Sequence, residues 1–190
     1  MEIKYVTNAF KIADVKRVKG KLEFNPPKKL QYKNGKELPK SILKKNVARV
    51  YLIVVDKEIK KIGGSNAEGG IEQTLNEYRN STGGQPGRSR VGIADNINKA
   101  IDRGKEIEVY MIYQDSFKSK VKGLSSFKIE KKAYLSYKLI EDKCLEDYKL
   151  EEGRFPDWNK QENAKPWSYE VRKKQSDISN KKPKRKTSSR

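Results

Sequence analysis

One stretch of this chain can only be a strand. Val50-Tyr51-Leu52-Ile53-Val54-Val55 is an unbroken run of β-branched, aromatic and leucine side chains, the composition that fits a pleated, buried surface. It stands out because the rest is polar, with 36% charged residues and a mean hydropathy of -0.96. After it, Asp56-Lys57-Glu58 makes a tight connection. Ile59-Lys60-Lys61-Ile62 reads as a second short strand, closed by Gly63-Gly64-Ser65. The pair is a predicted β-hairpin, and it fixes where the remaining elements must pack.

Downstream, Ile71, Leu75 and Tyr78 recur at helical spacing and predict a helix that stops near Ser81-Thr82-Gly83-Gly84. A flexible basic loop over 83–90 leads to a second helix, with Ile93, Ile97, Ala100 and Ile101 on one face and an end at Gly104. Ile107, Val109, Met111 and Tyr113 alternate as a third strand. Residues 114–125 read as a basic loop. A third helix is expected from about Phe127 to Asp147, from the 4-3-4 spacing of Ala133, Tyr137, Ile140 and Cys144. The order β-β-α-α-β-α predicts an α+β fold, with helices layered on a three-stranded sheet. Residues 1–46 are weakly periodic, with turn signals at Asn25-Pro26-Pro27 and Asn34-Gly35, and read as a basic N-terminal arm. Residues 161–190 read as a basic tail, disordered from Asn180 to Arg190.

Charge narrows the partner. The chain holds 44 basic and 25 acidic residues, a net +19. From Lys160 to Arg190 there are 11 basic and 3 acidic side chains, a net +8, so +11 remains on residues 1–159. A basic body implies an anionic partner, nucleic acid being the commonest. No apolar run reaches the length of a membrane span. Met1-Glu2-Ile3-Lys4-Tyr5 lacks the apolar stretch of a signal peptide, and Cys144 stands alone, so a reducing, cytoplasmic setting is expected.

Absences exclude whole chemistries. There is no histidine, which removes His–metal nucleases, Ser-His-Asp hydrolases and His-containing zinc sites. An enzyme built from this chain takes its base from Tyr, Lys, Asp or Glu and holds any metal through oxygen, which favours Mg²⁺ or Mn²⁺. The hairpin is the natural place for such chemistry, because its strands can bring Tyr51 and Lys61 to neighbouring positions on one face. A lysine beside a phenol lowers the phenol's pKa and makes it a base. Taken alone, the pair reads better as a core tyrosine and an ordinary surface lysine.

Val50-Tyr51, followed ten residues later by Lys61-Ile62-Gly63, resembles the paired motifs of the GIY-YIG nuclease superfamily, and in particular its small stand-alone type II restriction endonucleases. Arg49 stands where a glycine is usual. Lys61 replaces the second tyrosine, as it does in some restriction enzymes of the superfamily. The resemblance covers roughly residues 47–160 and implies a small three-stranded antiparallel sheet flanked by helices. It further implies a Mg²⁺-dependent endonuclease acting on double-stranded DNA, Mn²⁺ substituting, as a homodimer if the target is palindromic.

On that resemblance Tyr51 is the base, assisted by Lys61, and Glu130 near the start of the third helix is the metal ligand. The family's phosphate-contacting arginine has no counterpart one turn before Tyr78, where Thr74 stands. Arg79 is the nearest candidate, with Arg88 and Arg90 able to swing in from the loop. Ser65, Arg88, Arg90 and Asn159 are the expected DNA contacts, the last within Pro156-Asp157-Trp158-Asn159, a segment like the one that closes the domain in several members. Residues 1–46 and the loops 82–92 and 114–125 are the expected readers of base sequence. Two rival readings stand beside this one. Asp115 followed by Glu130-Lys131-Lys132 resembles a PD-(D/E)xK nuclease, ranked second because that fold needs the Glu and Lys on a strand. A non-catalytic nucleic-acid binder using its many tyrosines to stack bases is the other.

Overall fold

The structure, a computed structural model, describes residues 1–44, 47–81, 86–114, 117–122, 128–133 and 135–180. In chain order it forms β1 (Phe10–Val18), β2 (Lys21–Asn25), β3 (Leu30–Gln31), β4 (Glu37–Leu38), β5 (Arg49–Val55) and β6 (Glu58–Ser65). There follow α1 (Gly70–Arg79), α2 (Arg88–Asp102), β7 (Ile107–Tyr113), β8 (Phe117–Lys122), β9 (Lys128–Ala133), α3 (Tyr137–Glu152) and α4 (Tyr169–Asn180). Among the described residues no helix is long and apolar enough to cross a membrane.

The main sheet is antiparallel and runs β2-β1-β7-β5-β6. Every residue of β5 is buried, because it is paired on both sides and covered on both faces. Its odd-numbered side chains Tyr51, Ile53 and Val55 join one core with Ile71, Leu75 and Tyr78 of α1 and Ile93 and Ile97 of α2. Val50, Leu52 and Val54 join a second core with Leu145 and Tyr148 of α3. Helices therefore sandwich the sheet.

The β5–β6 turn uses left-handed backbone at both Asp56 (φ 47°) and Lys57 (φ 70°), the conformation that matches the twist of a two-residue hairpin. Between Val54↔Ile59 and Ile53↔Lys61 the register shifts, leaving Lys60 as the extra residue of a bulge. The bulge resets the alternation. Ile59 and Ile62 both enter the α3 core, while Lys61 and Gly63 pair with Ile53 and Tyr51 on the other face.

The sheet has five strands rather than the three expected. Residues 1–44 are no detached arm: β1 pairs with β7, and Phe10, Ile12, Val15, Leu22, Phe24, Leu30 and Leu43 lie in the first core. A register shift between Lys11 and Ala13 breaks the period-two pattern there and hides the strand. The chain also continues in order past residue 160, since α4 packs Val171 and Ile178 against Val91 of α2. The ring of Trp167 lies so close to Gly92 that a Cβ there would collide with it. Of the end expected to be disordered, Asn180 is the last residue of α4, and 181–190 lie outside the described positions.

The third helix begins later than its sequence pattern suggests. Lys128–Ala133 form strand β9, paired antiparallel with β8 in a two-stranded sheet of its own. Helix α3 starts at Tyr137, where Ser136 caps it by accepting the Lys138 N–H at 3.2 Å, and stops at Gly153 in the left-handed conformation (φ 69°). The helical spacing of Tyr137, Ile140 and Cys144 is real, but Ala133 belongs to the strand before it. Glu130 is thus a strand residue, placed opposite Lys120.

Candidate active site

The hairpin brings Tyr51 and Lys61 to one face, with Tyr51 opposite Gly63 and Lys61 opposite Ile53. Glycine at 63 is a packing requirement, because an added Cβ would come within 2.5 Å of the Tyr51 ring. The tyrosine hydroxyl meets the Tyr78 hydroxyl of α1 at 2.5 Å, and the rings sit edge to face with centroids 6.1 Å apart.

Burial pushes the Tyr51 pKa well above its ordinary value, and Tyr78, Glu141 and Glu77 add to the rise. Burial likewise raises Tyr78, to about 12. This corrects the expectation that Lys61 makes Tyr51 acidic: desolvation dominates, and both phenols stay neutral. The perturbed base is Lys61 instead. It is 9% exposed, and loss of solvent lowers its pKa, an effect that the Glu162 and Glu141 carboxylates oppose and Lys138 assists.

β6 is the last strand of the main sheet, and side chains and the segment after α3 take several of its outward backbone groups. The Lys60 carbonyl accepts the Trp158 N–H at 2.9 Å. The Asn159 side chain accepts the Ile62 N–H at 2.9 Å and donates to the Ile62 carbonyl at 3.0 Å. The Gly64 N–H donates to Glu141 at 2.8 Å. Gly64 has no room for a Cβ, since the Tyr137 ring of α3 occupies that space. Two adjacent glycines thus let an aromatic ring approach β6 from each face, and the chemistry of both faces meets around this edge.

The meeting point is a cleft of about 490 Å³ with Tyr51, Lys61, Tyr78, Glu77, Arg90 and Glu141 on its walls. Ser65 and Thr74 close one end with their hydroxyls 2.6 Å apart. Arg90, in the first turn of α2, pairs with Glu77 at 2.5 Å. Glu141 is 12% exposed, and its second oxygen lies 3.4 Å from the Lys138 ammonium. A larger hollow of about 680 Å³ lies on the other side of the sheet. Its described lining includes Asp147, Glu151 and Glu152 but no lysine or arginine, the wrong charge for a polyanion.

No protein-family model matches the chain, and no curated protein matches it. Solved structures do. A mutant of bacteriophage T4 EndoII superimposes with a TM-score of 0.51 over 83% of this chain and 98% of that one, at 13% identity. The chain shares its fold with T4 EndoII. A looser likeness, at a TM-score of 0.39 and 16% identity, links 82% of the chain with 84% of the restriction endonuclease HPY188I in complex with product DNA.

Within the fold shared with EndoII, the other expected residues fall in different places. Ser65 and Arg90 line the cleft. Arg88 is exposed at the start of α2. Arg79 turns the other way: its Nε donates to the Leu22 carbonyl of β2 at 3.1 Å, on the far side of α1. Asn159 is fully buried and spends its amide on Ile62, so it holds the edge strand and has no surface to offer DNA. The carboxylates that line the cleft among the described residues are Glu77 and Glu141, and the side chain of Glu130, the expected metal ligand, lies outside those described. Tyr78, read from the sequence as a core side chain, supplies its hydroxyl to the site.

Among the described residues no three acidic, Cys or His groups cluster tightly enough to enclose a metal. Glu141 still suits a hard cation. It is a largely shielded carboxylate, held in place by a backbone N–H and lining an open cleft, and a Mg²⁺ ion takes one or two carboxylates and completes its shell with waters and phosphate oxygens.

Proposed function

We propose that this protein is a divalent-metal-dependent endonuclease of the GIY-YIG type that hydrolyses double-stranded DNA, with Mg²⁺ as its cofactor, and that it works as a sequence-specific type II restriction enzyme. The observation that carries the reading is the convergence of Tyr51, Lys61, Arg90 and Glu141 around the Gly63-Gly64 edge, on a fold shared with T4 EndoII.

Lys61 is the proton acceptor in this reading. Its lowered pKa makes the neutral amine easier to reach than in an ordinary lysine. The Tyr51 hydroxyl, which stays neutral, orients the attacking water and passes its proton toward Lys61. Arg90 exchanges its Glu77 partner for the scissile phosphate, whose oxygens match its planar fork. Glu141, with Glu77 near it, would hold the cation, which supplies counter-charge for the phosphate and the leaving oxygen. Two copies of the chain would cut the two strands of a palindromic site.

One observation favours a second reading. Glu130 and Lys132 stand two apart on β9, a strand, which is the placement a PD-(D/E)xK site with Asp115 requires. The test of the function itself is supercoiled plasmid incubated with the full chain, with Mg²⁺ or with EDTA. Nicked or linear DNA in discrete bands with Mg²⁺ alone is expected. Intact plasmid under all divalent-ion conditions would remove the assignment.

A further inference from the structure

The β8–β9 ribbon is a sheet of its own. It forms a two-stranded sheet separate from the main one, inserted between β7 and α3. Its register sorts its residues by parity. One face carries the pairs Lys118↔Lys132, Lys120↔Glu130 and Lys122↔Lys128, five lysines and one glutamate. The other carries Phe117↔Ala133, Ser119↔Lys131 and Val121↔Ile129, which is mostly apolar. A merely solvated ribbon would have no reason to gather like charges in facing positions, because like charges directly opposite destabilise a pair. The concentration of lysine makes sense when a polyanion neutralises it.

We infer that the lysine face of this ribbon is a duplex-DNA grip that enters the major groove beside the cleft. The inference rests on the reading that the substrate is double-stranded DNA. Six residues per strand give a ribbon about 20 Å long, and the major groove, about 12 Å wide, admits a two-stranded ribbon. Chain connectivity sets the register to the chemistry: β9 ends at Ala133, and Tyr137 and Glu141 of the cleft follow in the first turns of α3. DNA held by the ribbon is thereby tethered next to the cleft. Lysine is a point charge suited to phosphate oxygens, so the grip fixes position and orientation more than base identity. Glu130 is the one acidic residue on that face.

The test is duplex binding measured by fluorescence anisotropy over a salt series, using the full chain with EDTA to prevent cutting. The variant carries Lys118→Gln, Lys120→Gln and Lys132→Gln together. Each phosphate contact contributes about 0.9 to the slope of log affinity against log salt, so the slope should fall by roughly 2 to 3. Lys→Arg at the same three positions should restore it, which separates charge from folding. Lys143→Gln with Lys149→Gln and Lys173→Gln, three lysines away from the ribbon, should leave the slope unchanged. A ribbon variant with the wild-type slope overturns the inference while leaving the nuclease reading intact if the wild type cuts plasmid. A wild type that neither binds nor cuts duplex DNA overturns both.

Discussion

The hydroxyls of Tyr51 and Tyr78 meet at 2.5 Å inside the protein, where the two rings pack edge to face. Both phenols have their pKa raised by burial, so the contact is one of neutral groups. Tyr51→Phe leaves the Tyr78 hydroxyl without this partner, a loss of about 1–3 kcal/mol in unfolding free energy. If Tyr51 also passes the proton, cleavage falls by about 10²-fold or more. Tyr78→Phe removes the same hydrogen bond with a comparable stability change and should slow cleavage less. Denaturant unfolding together with single-turnover nicking checks both. Equal rate losses in the two variants would make Tyr51 a packing residue.

Lys61 makes a prediction about pH with a definite sign. In the unfolded chain its amine has the ordinary value of 10.5, and in the fold burial lowers it. Between the two values the unfolded state binds more protons, so this residue makes stability rise as pH increases through that window. Below the folded value the buried charge is a standing cost. Lys61→Met removes it, so the variant should melt higher than wild type at neutral pH, with the gap closing toward pH 10.5. Cleavage by the wild type should climb with pH through an ionisation below 10.5, and Lys61→Met should be slow at every pH. A wild-type rate that is flat from neutral to alkaline pH contradicts the role of Lys61.

The hairpin, α1, α2 and β7 are legible in the sequence because each repeats a clean period: the unbroken run of β5, the i, i+4, i+7 apolar positions of α1, the alternation of β7. What fails is instructive. β1 has apolar residues enough, but its bulge between Lys11 and Ala13 breaks the alternation on which a strand is recognised. β9 is a lysine-rich strand whose apolar residues, Ile129 and Ala133, stand four apart, the spacing of a helix face rather than of a strand. That misreading moved the start of α3 back and put Glu130 on the helix instead of on β9. The signal that would have found Glu141 is Ser136, a helix N-cap residue, with Glu141 then sharing a face with Tyr137, Leu145 and Tyr148. Tyr51 and Lys61 could be paired from the hairpin alone. The direction of their pKa shifts could not, since it depends on burial by α1 and α3.

Asn159 separates a structural role from a DNA-contacting one. Asn159→Ala strips the Ile62 N–H and carbonyl of their buried partners, each costing about 1–3 kcal/mol. Thermal unfolding should show a large loss, while the salt slope of DNA binding by the protein that remains folded should match wild type. Normal stability with weakened binding would return Asn159 to the DNA interface.

The central claim is that the chemistry sits where Glu141 meets the edge of β6. The direct measurement is plasmid nicking with Mg²⁺ by Glu141→Gln, Glu130→Gln and Asp115→Asn, with a duplex-binding assay on each. Glutamine keeps an oxygen able to accept the Gly64 N–H, so the fold survives and only the charge goes. Glu141→Gln should lose about 10²–10³-fold or more in nicking, the scale on which loss of one charge-stabilising group acts, and should bind DNA at least as tightly as wild type. Glu130→Gln and Asp115→Asn should cut at near wild-type rates. If Glu141→Gln cuts normally while Glu130→Gln and Asp115→Asn are inactive, the active site lies on the β8–β9 side and this account of the cleft is wrong.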